Sequence, residues 1–114
     1  MWKIFRIFKR KRRYDGPEKR SHFRVIYPPS QRPWLVVNDS AFEVADISQR
    51  GLRFLNRHDI RFEPPIEGTV RFTDGESVEV TGQIGWKKAD AVSLLLAQSL
   101  PPDIIRKEWG RGGL

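Results

Sequence analysis

Two short stretches of the chain combine residue types that bind anions. Residues 20–24 read Arg-Ser-His-Phe-Arg, which places two guanidinium groups, Arg20 and Arg24, four residues apart. Residues 46–51 read Asp-Ile-Ser-Gln-Arg-Gly. An arginine forks onto phosphate oxygens or onto a base edge, aspartate accepts hydrogen bonds, serine donates and accepts them, and glycine admits a close backbone approach. Together the two stretches suit an anionic ligand.

The two motifs differ in how easily they arise by chance. Because 14 of the 114 residues are arginine, the Arg-x-x-x-Arg spacing recurs, starting at Arg6, Arg20, Arg53 and Arg57. The pattern Asp/Asn-x-Ser-x-x-Gly is complete only at Asp46. Taken singly, its aspartate and serine also suit a turn that hydrogen-bonds its own backbone, and its glycine suits a bulge. The two motifs in one chain favour a binding role.

Basic residues concentrate at the N-terminus of the chain. The net charge is +7, and residues 1–24 hold ten basic side chains against two acidic ones. The ten are Lys3, Arg6, Lys9, Arg10, Lys11, Arg12, Arg13, Lys19, Arg20 and Arg24. The remaining residues are almost neutral, so a diffuse basic coat for a long nucleic acid is not expected. We divide the chain into a basic arm, residues 1–17, and one domain, residues 18–114.

Within the arm, Met1, Ile4, Phe5 and Phe8 share one face at helical spacing, and a basic run follows at residues 9–13. Residues 1–13 therefore suit peripheral contact with an anionic membrane or a partner, or a solvated tail. No apolar stretch approaches the roughly 20 residues that cross a bilayer, and no secretory signal is present, so we expect a cytoplasmic protein. With no cysteine and two histidines, neither a metal nor a cofactor is expected.

The body of the chain has the pattern of an all-β domain. Three Pro-Pro pairs and several glycines separate short segments rich in β-branched and aromatic residues. Six strands are predicted, at residues 34–38, 42–48, 52–56, 69–73, 78–86 and 92–97. Asp74-Gly75 predicts a hairpin turn, and Gly82 and Gly85 predict bends where a small sheet curls into a barrel. A helix is predicted from Asp103 to Trp109, with Ile104, Ile105 and Trp109 sharing one side.

In this order, on six strands followed by a helix, these residues resemble the PilZ domain family, bacterial receptors for the second messenger cyclic di-GMP (c-di-GMP). The resemblance runs from about Lys19 to Trp109. Its motifs are the arginine pair, the Asp46-x-Ser48-x-x-Gly51 pattern and the Gly82-Gln83-Ile84-Gly85-Trp86 strand. It implies a six-stranded antiparallel β-barrel that binds the dinucleotide on its outer surface, with the N-terminal loop folding over the ligand.

The resemblance also implies a role for each residue of the motifs. Cyclic di-GMP has two phosphates and two guanines, and Arg20 and Arg24 are suited to bind either group. The aspartate accepts from guanine N1 and N2, the serine bonds phosphate or base, and the glycine admits close approach. The implied site is Arg20, Arg24, Asp46, Ser48 and Gly51, with Lys19 adding charge. Trp86 offers a stacking face, although a tryptophan at the end of a barrel strand is commonly a core residue.

The function that follows is a non-enzymatic receptor. Binding of the ligand orders the loop that contains Arg20 and Arg24. This changes the surface offered to a protein partner, which the sequence does not identify. No Ser-His-Asp arrangement, phosphate-binding glycine loop or carboxylate cluster around a histidine indicates an enzyme. Two alternatives remain open: a small barrel that binds single-stranded nucleic acid, and a ligand-free adaptor that docks through residues 1–13.

Overall fold

Short strands joined by tight turns make up most of residues 24–111, the part of the chain that the computed structural model describes. In chain order the strands are β1 Arg24–Ile26, β2 Trp34–Val37, β3 Ser40–Ser48, β4 Gly51–Leu55, β5 Ile66–Arg71, β6 Ser77–Lys88 and β7 Ala91–Leu96. The helix α1 follows at Pro102–Arg111. A 3-10 turn at Pro29–Gln31 connects β1 to β2.

Six of the strands close into an antiparallel barrel. Their order around the barrel is β2, β5, β6, β7, β4 and β3, and β3 pairs in turn with β2. Closure leaves none of these six with a free edge. The predicted all-β fold, a six-stranded antiparallel β-barrel with a short C-terminal helix, is confirmed. The strand β1 is an addition that the sequence pattern did not predict; it pairs with residues 46–48 of β3, beyond the residues 40–43 that pair with β2.

Alternation along each strand fills the barrel. In β4 and β7, buried residues alternate with half-buried or exposed ones, so Leu52 and Phe54 pack inward beside Val92 and Leu94. One contiguous cluster forms the core, and the rings of Phe42, Phe54 and Phe62 contact one another in tilted or edge-on arrangements, with centroids 5.3 to 5.9 Å apart. Burial of this apolar surface provides the main favourable term for folding.

Three glycines shape the β5–β6–β7 wall. Gly75 adopts a φ of 94° in the predicted hairpin turn, a conformation that glycine takes without a steric cost. A bulge lies at Gly85, where the register of β6 against β7 shifts between Ile84 and Trp86. Gly82 has a different role, since a Cβ there would lie 2.3 Å from the carbonyl oxygen of Leu95. Close contact between neighbouring strands therefore requires this glycine.

The helix α1 buries Ile104 and Ile105, as predicted, but Trp109 is 42% exposed. The prediction that Trp109 shares the apolar side was therefore wrong. Glu108, four residues after Ile104, occupies the inward position instead and is almost fully buried. Its carboxylate accepts a hydrogen bond of 2.6 Å from the Tyr27 hydroxyl, which satisfies a charge that would otherwise be costly to bury.

Lys107 ties the helix to the β5–β6 hairpin. Its Nζ lies 2.6 Å from Glu76 Oε1, 2.9 Å from Asp74 Oδ2 and 3.3 Å from Glu108 Oε2. The ammonium group also lies 4.7 Å from the centroid of the Phe72 ring. Burial lowers the pKa of Lys107, but hydrogen bonds to Glu76, Asp74 and Glu108 outweigh it and hold the pKa above its ordinary value.

Replacing Lys107 by Met should lower the free energy of unfolding by about 1 to 3 kcal/mol, because the change removes three charged partners at once. Lys87→Met is the matched control, since Lys87 lies 3.6 Å from Asp59 in a pair exposed to solvent. The control should cost no more than about 0.5 kcal/mol. Urea unfolding followed by circular dichroism measures both, and equal losses would contradict the anchoring role of Lys107.

Candidate functional site

A bulge in β3 turns its last residues toward the outside of the barrel. Val44 is buried in the core opposite Phe54, and the register of β3 against β4 then shifts between Val44 and Asp46. After the shift Ile47 faces the core, so Asp46 and Ser48 face outward. Without the extra residue, strict alternation would direct Asp46 into the apolar interior.

Cross-strand pairing brings the second motif beside the last residue of the first. Arg24 in β1 lies opposite Ser48 in β3, which lies opposite Gly51 in β4. Asp46 stands in the adjacent row, two positions earlier on β3. Four of the predicted site residues, Arg24, Asp46, Ser48 and Gly51, are thus neighbours on one outer face of the barrel. Arg24 was predicted to lie in a loop ahead of the barrel; it is instead the first residue of β1.

Asp46 is the most buried polar residue of this face, with no exposed surface. Its Oδ1 lies 2.5 Å from Arg24 Nη1, and its Oδ2 lies 2.5 Å from Arg53 Nη2. The two arginine side chains are 49% and 38% exposed, so they cover the carboxylate while keeping contact with solvent. One buried negative charge between two partly solvated positive charges leaves the surface with an excess of positive charge.

Ser48 and Gly51 also have contacts within the barrel. The Ser48 hydroxyl donates a hydrogen bond of 3.3 Å to the Gly51 carbonyl oxygen. A Cβ on Gly51 would lie 3.0 Å from the carbonyl oxygen of Leu94 in the neighbouring strand. The serine bond is long, so its hydroxyl is readily turned toward a better acceptor. A side chain at Gly51 would therefore require the backbone of β7 to shift by a few tenths of an ångström.

Trp86 lies on the same outer face as the motif residues. Cross-strand pairing links Asp46 to Arg53 in β4, Arg53 to Ser93 in β7, and Ser93 to Trp86 in β6, so these four residues form one row across the sheet. Neighbouring strands are about 4.8 Å apart, so Trp86 is about 14 Å along the sheet from Asp46. Its side chain is 46% exposed and takes no part in the core. Leu95, two residues after Ser93 on β7, is 57% exposed.

Sequence reasoning missed Arg53 as a partner of Asp46. Arg53 follows Gly51 by two residues on a strand, and period-two alternation places the two on the same face. That spacing was a usable signal, but the pairing with Asp46 depends on the register between β3 and β4. The strand β1 follows the same alternation, with Val25 buried and Arg24 and Ile26 exposed, but over too few residues to be recognised in the sequence.

Several predictions concern residues outside the described part of the chain. Lys19 and Arg20, the arm of residues 1–17 and its contact segment at residues 1–13 all precede residue 24. Among residues 24–111, no three His, Cys, Asp or Glu side chains are grouped as metal ligands would be. Over the same residues, no helix has the length and apolar character to cross a bilayer.

The family model of the PilZ domain matches residues 18–106, which is most of the chain. The chain belongs to the PilZ domain family. This is a family of receptors that bind cyclic di-GMP and are generally not enzymes. No curated protein and no solved structure matches the chain significantly. In this PilZ domain the residues of the Asp-x-Ser-x-x-Gly pattern lie on the outer face of β3 and β4, with Arg24 beside them.

Burial of the Asp46 carboxylate should require at least one of its two partners, Arg24 and Arg53. Arg24→Met or Arg53→Met alone leaves one partner and should cost about 1 kcal/mol of unfolding free energy. The double variant leaves the buried carboxylate unpaired and should cost about 3 to 5 kcal/mol.

Adding Asp46→Asn to the double variant should restore part of this loss, because the unpaired charge is removed. Chemical denaturation of all four variants tests the prediction. A double variant that costs no more than the sum of the two single changes would show that Asp46 does not depend on these partners.

Proposed function

We propose that this PilZ domain is a receptor for cyclic di-GMP that binds the dinucleotide on the outer face of β1, β3 and β4. The observation that carries the proposal is the direct opposition of Arg24 and Ser48, which belong to separate motifs, beside a buried aspartate. A guanidinium fork, a hydroxyl and a carboxylate on one surface match the phosphates and guanine edges of the ligand.

Binding exchanges one partner of Asp46 for another. In the structure Arg24 occupies Oδ1 of the carboxylate. A phosphate of the ligand attracts Arg24 away, and the N1 and N2 donors of a guanine take its place on Oδ1. The long hydrogen bond of Ser48 to Gly51 yields to a bond with the ligand. Each polar group that loses a partner gains one from the ligand, which keeps the exchange favourable.

The segment before β1, which contains Arg20, closes over the bound ligand in this proposal. Arg20 precedes Arg24 by four residues, a span of at most about 14 Å, so its side chain has the reach to meet the same ligand. Lys19 adds charge next to it. The basic residues before β1 repel one another, and a ligand with two phosphates relieves that repulsion. Ordering of this segment changes the surface that a protein partner meets.

Exposed apolar side chains border the proposed site on two sides. Ile26 on β1 is 43% exposed. Trp86 on β6 and Leu95 on β7 are also exposed, on the far side of β4 from β3. We propose that Trp86 stacks on a guanine, because its row leads directly to Asp46 and its ring is open to solvent. The role of the domain is recognition without turnover, in keeping with the general character of the family. We place the protein in the bacterial cytoplasm, with residues 1–13 as a peripheral membrane or partner contact.

Isothermal titration calorimetry with cyclic di-GMP tests the site. Arg20→Ala, Arg24→Ala and Asp46→Ala should each weaken binding about tenfold or more, since each removes a charge-assisted hydrogen bond. Arg71→Ala, an exposed position on β5, is the matched control and should leave the affinity within about twofold. Unchanged affinity in both Arg20→Ala and Arg24→Ala would reject the assignment.

A parallel titration with GTP and with a short single-stranded oligonucleotide separates the proposal from nucleic-acid binding. A single-strand binder would show a steep salt dependence and would tolerate Asp46→Ala. The receptor proposed here should prefer cyclic di-GMP over both other ligands and lose affinity on that change.

A further inference from the structure

Arg53 lies outside both sequence motifs, yet it makes the second ion pair to Asp46. We propose that Arg53 is a positioning residue, which keeps the carboxylate paired and oriented while Arg24 moves to the ligand. This inference rests on the proposed function. It adds a residue that determines whether the site is able to exchange partners.

The two arginines lie on elements of unequal stability. Arg53 is the central residue of β4, a barrel strand that is paired along its whole length with β7 and also with β3. Arg24 begins β1, which has three residues and, within residues 24–111, pairs with β3 alone. Ends of short edge strands open at much lower free energy than the interior strands of a closed sheet. Arg24 is therefore the partner that is free to leave, and Arg53 is the partner that stays.

The positions of the two arginines relative to Asp46 also indicate that Arg24 leaves and Arg53 stays. Arg53 is the direct cross-strand partner of Asp46, whereas Arg24 reaches it diagonally from the position opposite Ser48. The direct neighbour has the shorter path to the carboxylate. Each arginine holds a different oxygen, Oδ1 for Arg24 and Oδ2 for Arg53. Departure of Arg24 thus frees one oxygen without disturbing the other.

Burial makes the remaining pair necessary. Asp46 has no exposed surface, and a buried carboxylate without a cationic partner is strongly disfavoured. If Arg53 is absent, Arg24 becomes the only cation on Asp46 and is held there. To bind Arg24 and Asp46, the ligand must then break the one ion pair that compensates the buried carboxylate. Loss of Arg53 therefore weakens binding although Arg53 itself does not touch the ligand.

A double-mutant cycle distinguishes this indirect role from direct contact with a phosphate. Binding of cyclic di-GMP is measured calorimetrically for the full chain and for Arg53→Met, Asp46→Asn and the two changes combined. Arg53→Met should weaken binding about tenfold in the wild-type background. In the Asp46→Asn background the same change should alter the affinity less than about twofold, because the carboxylate that Arg53 holds is gone.

Two controls keep the result interpretable. Arg57→Met removes an arginine paired at 2.7 Å with Glu43, a carboxylate on the same strand as Asp46, and should leave the affinity unchanged. Arg53→Lys retains the positive charge and should recover most of the affinity lost in Arg53→Met. If Arg53→Met does not fold, as judged by circular dichroism, the cycle is run with Arg53→Gln.

Each outcome has a defined meaning. An equal loss on removing Arg53 in both backgrounds would show that Arg53 contacts the ligand directly and would overturn the inference. No loss in either background would overturn it as well. If the wild-type chain itself does not bind cyclic di-GMP, the proposed function fails and the inference fails with it. If the wild type binds and only the cycle disagrees, the receptor assignment stands without a positioning role for Arg53.

Discussion

A carboxylate with no exposed surface, placed on the outer side of a β-barrel, is the constraint on which the site depends. Asp46 is tolerated there because two guanidinium groups compensate its charge from opposite sides. One of them comes from a barrel strand and the other from a short added strand. This surface holds its own ion pairs, and the proposed mechanism exchanges one of them for contacts with the ligand.

The rest of the fold supports this arrangement. The bulge before Asp46 turns the end of β3 outward while the core stays apolar. Val25 anchors β1 to that core from beneath Arg24, and the hydroxyl of Tyr27 hydrogen-bonds to Glu108 of α1. Because Lys107 connects the same helix to the β5–β6 hairpin, the helix holds the added strand against the barrel. These elements thus fix the position of Asp46 on the outer face.

Sequence periodicity predicted the barrel strands well because proline pairs and glycines mark their ends and β-branched residues fill them. The Asp74-Gly75 turn followed from local chemistry alone. The strand β1 was missed because three residues before a Pro-Pro pair are too short for a periodic signal. The burial of Glu108 in place of Trp109 was missed because its partner, Tyr27, lies 81 residues away in the chain. Arg53 became visible as a partner of Asp46 only through the register of two strands.

The most direct test of the account is a heteronuclear NMR titration of the full chain with cyclic di-GMP. We expect amide shift changes concentrated in residues 20–26 and 46–53, with the Trp86 indole signal moving and β5 unaffected. Saturating ligand that perturbs neither segment, or that perturbs only the opposite wall of the barrel, would contradict it.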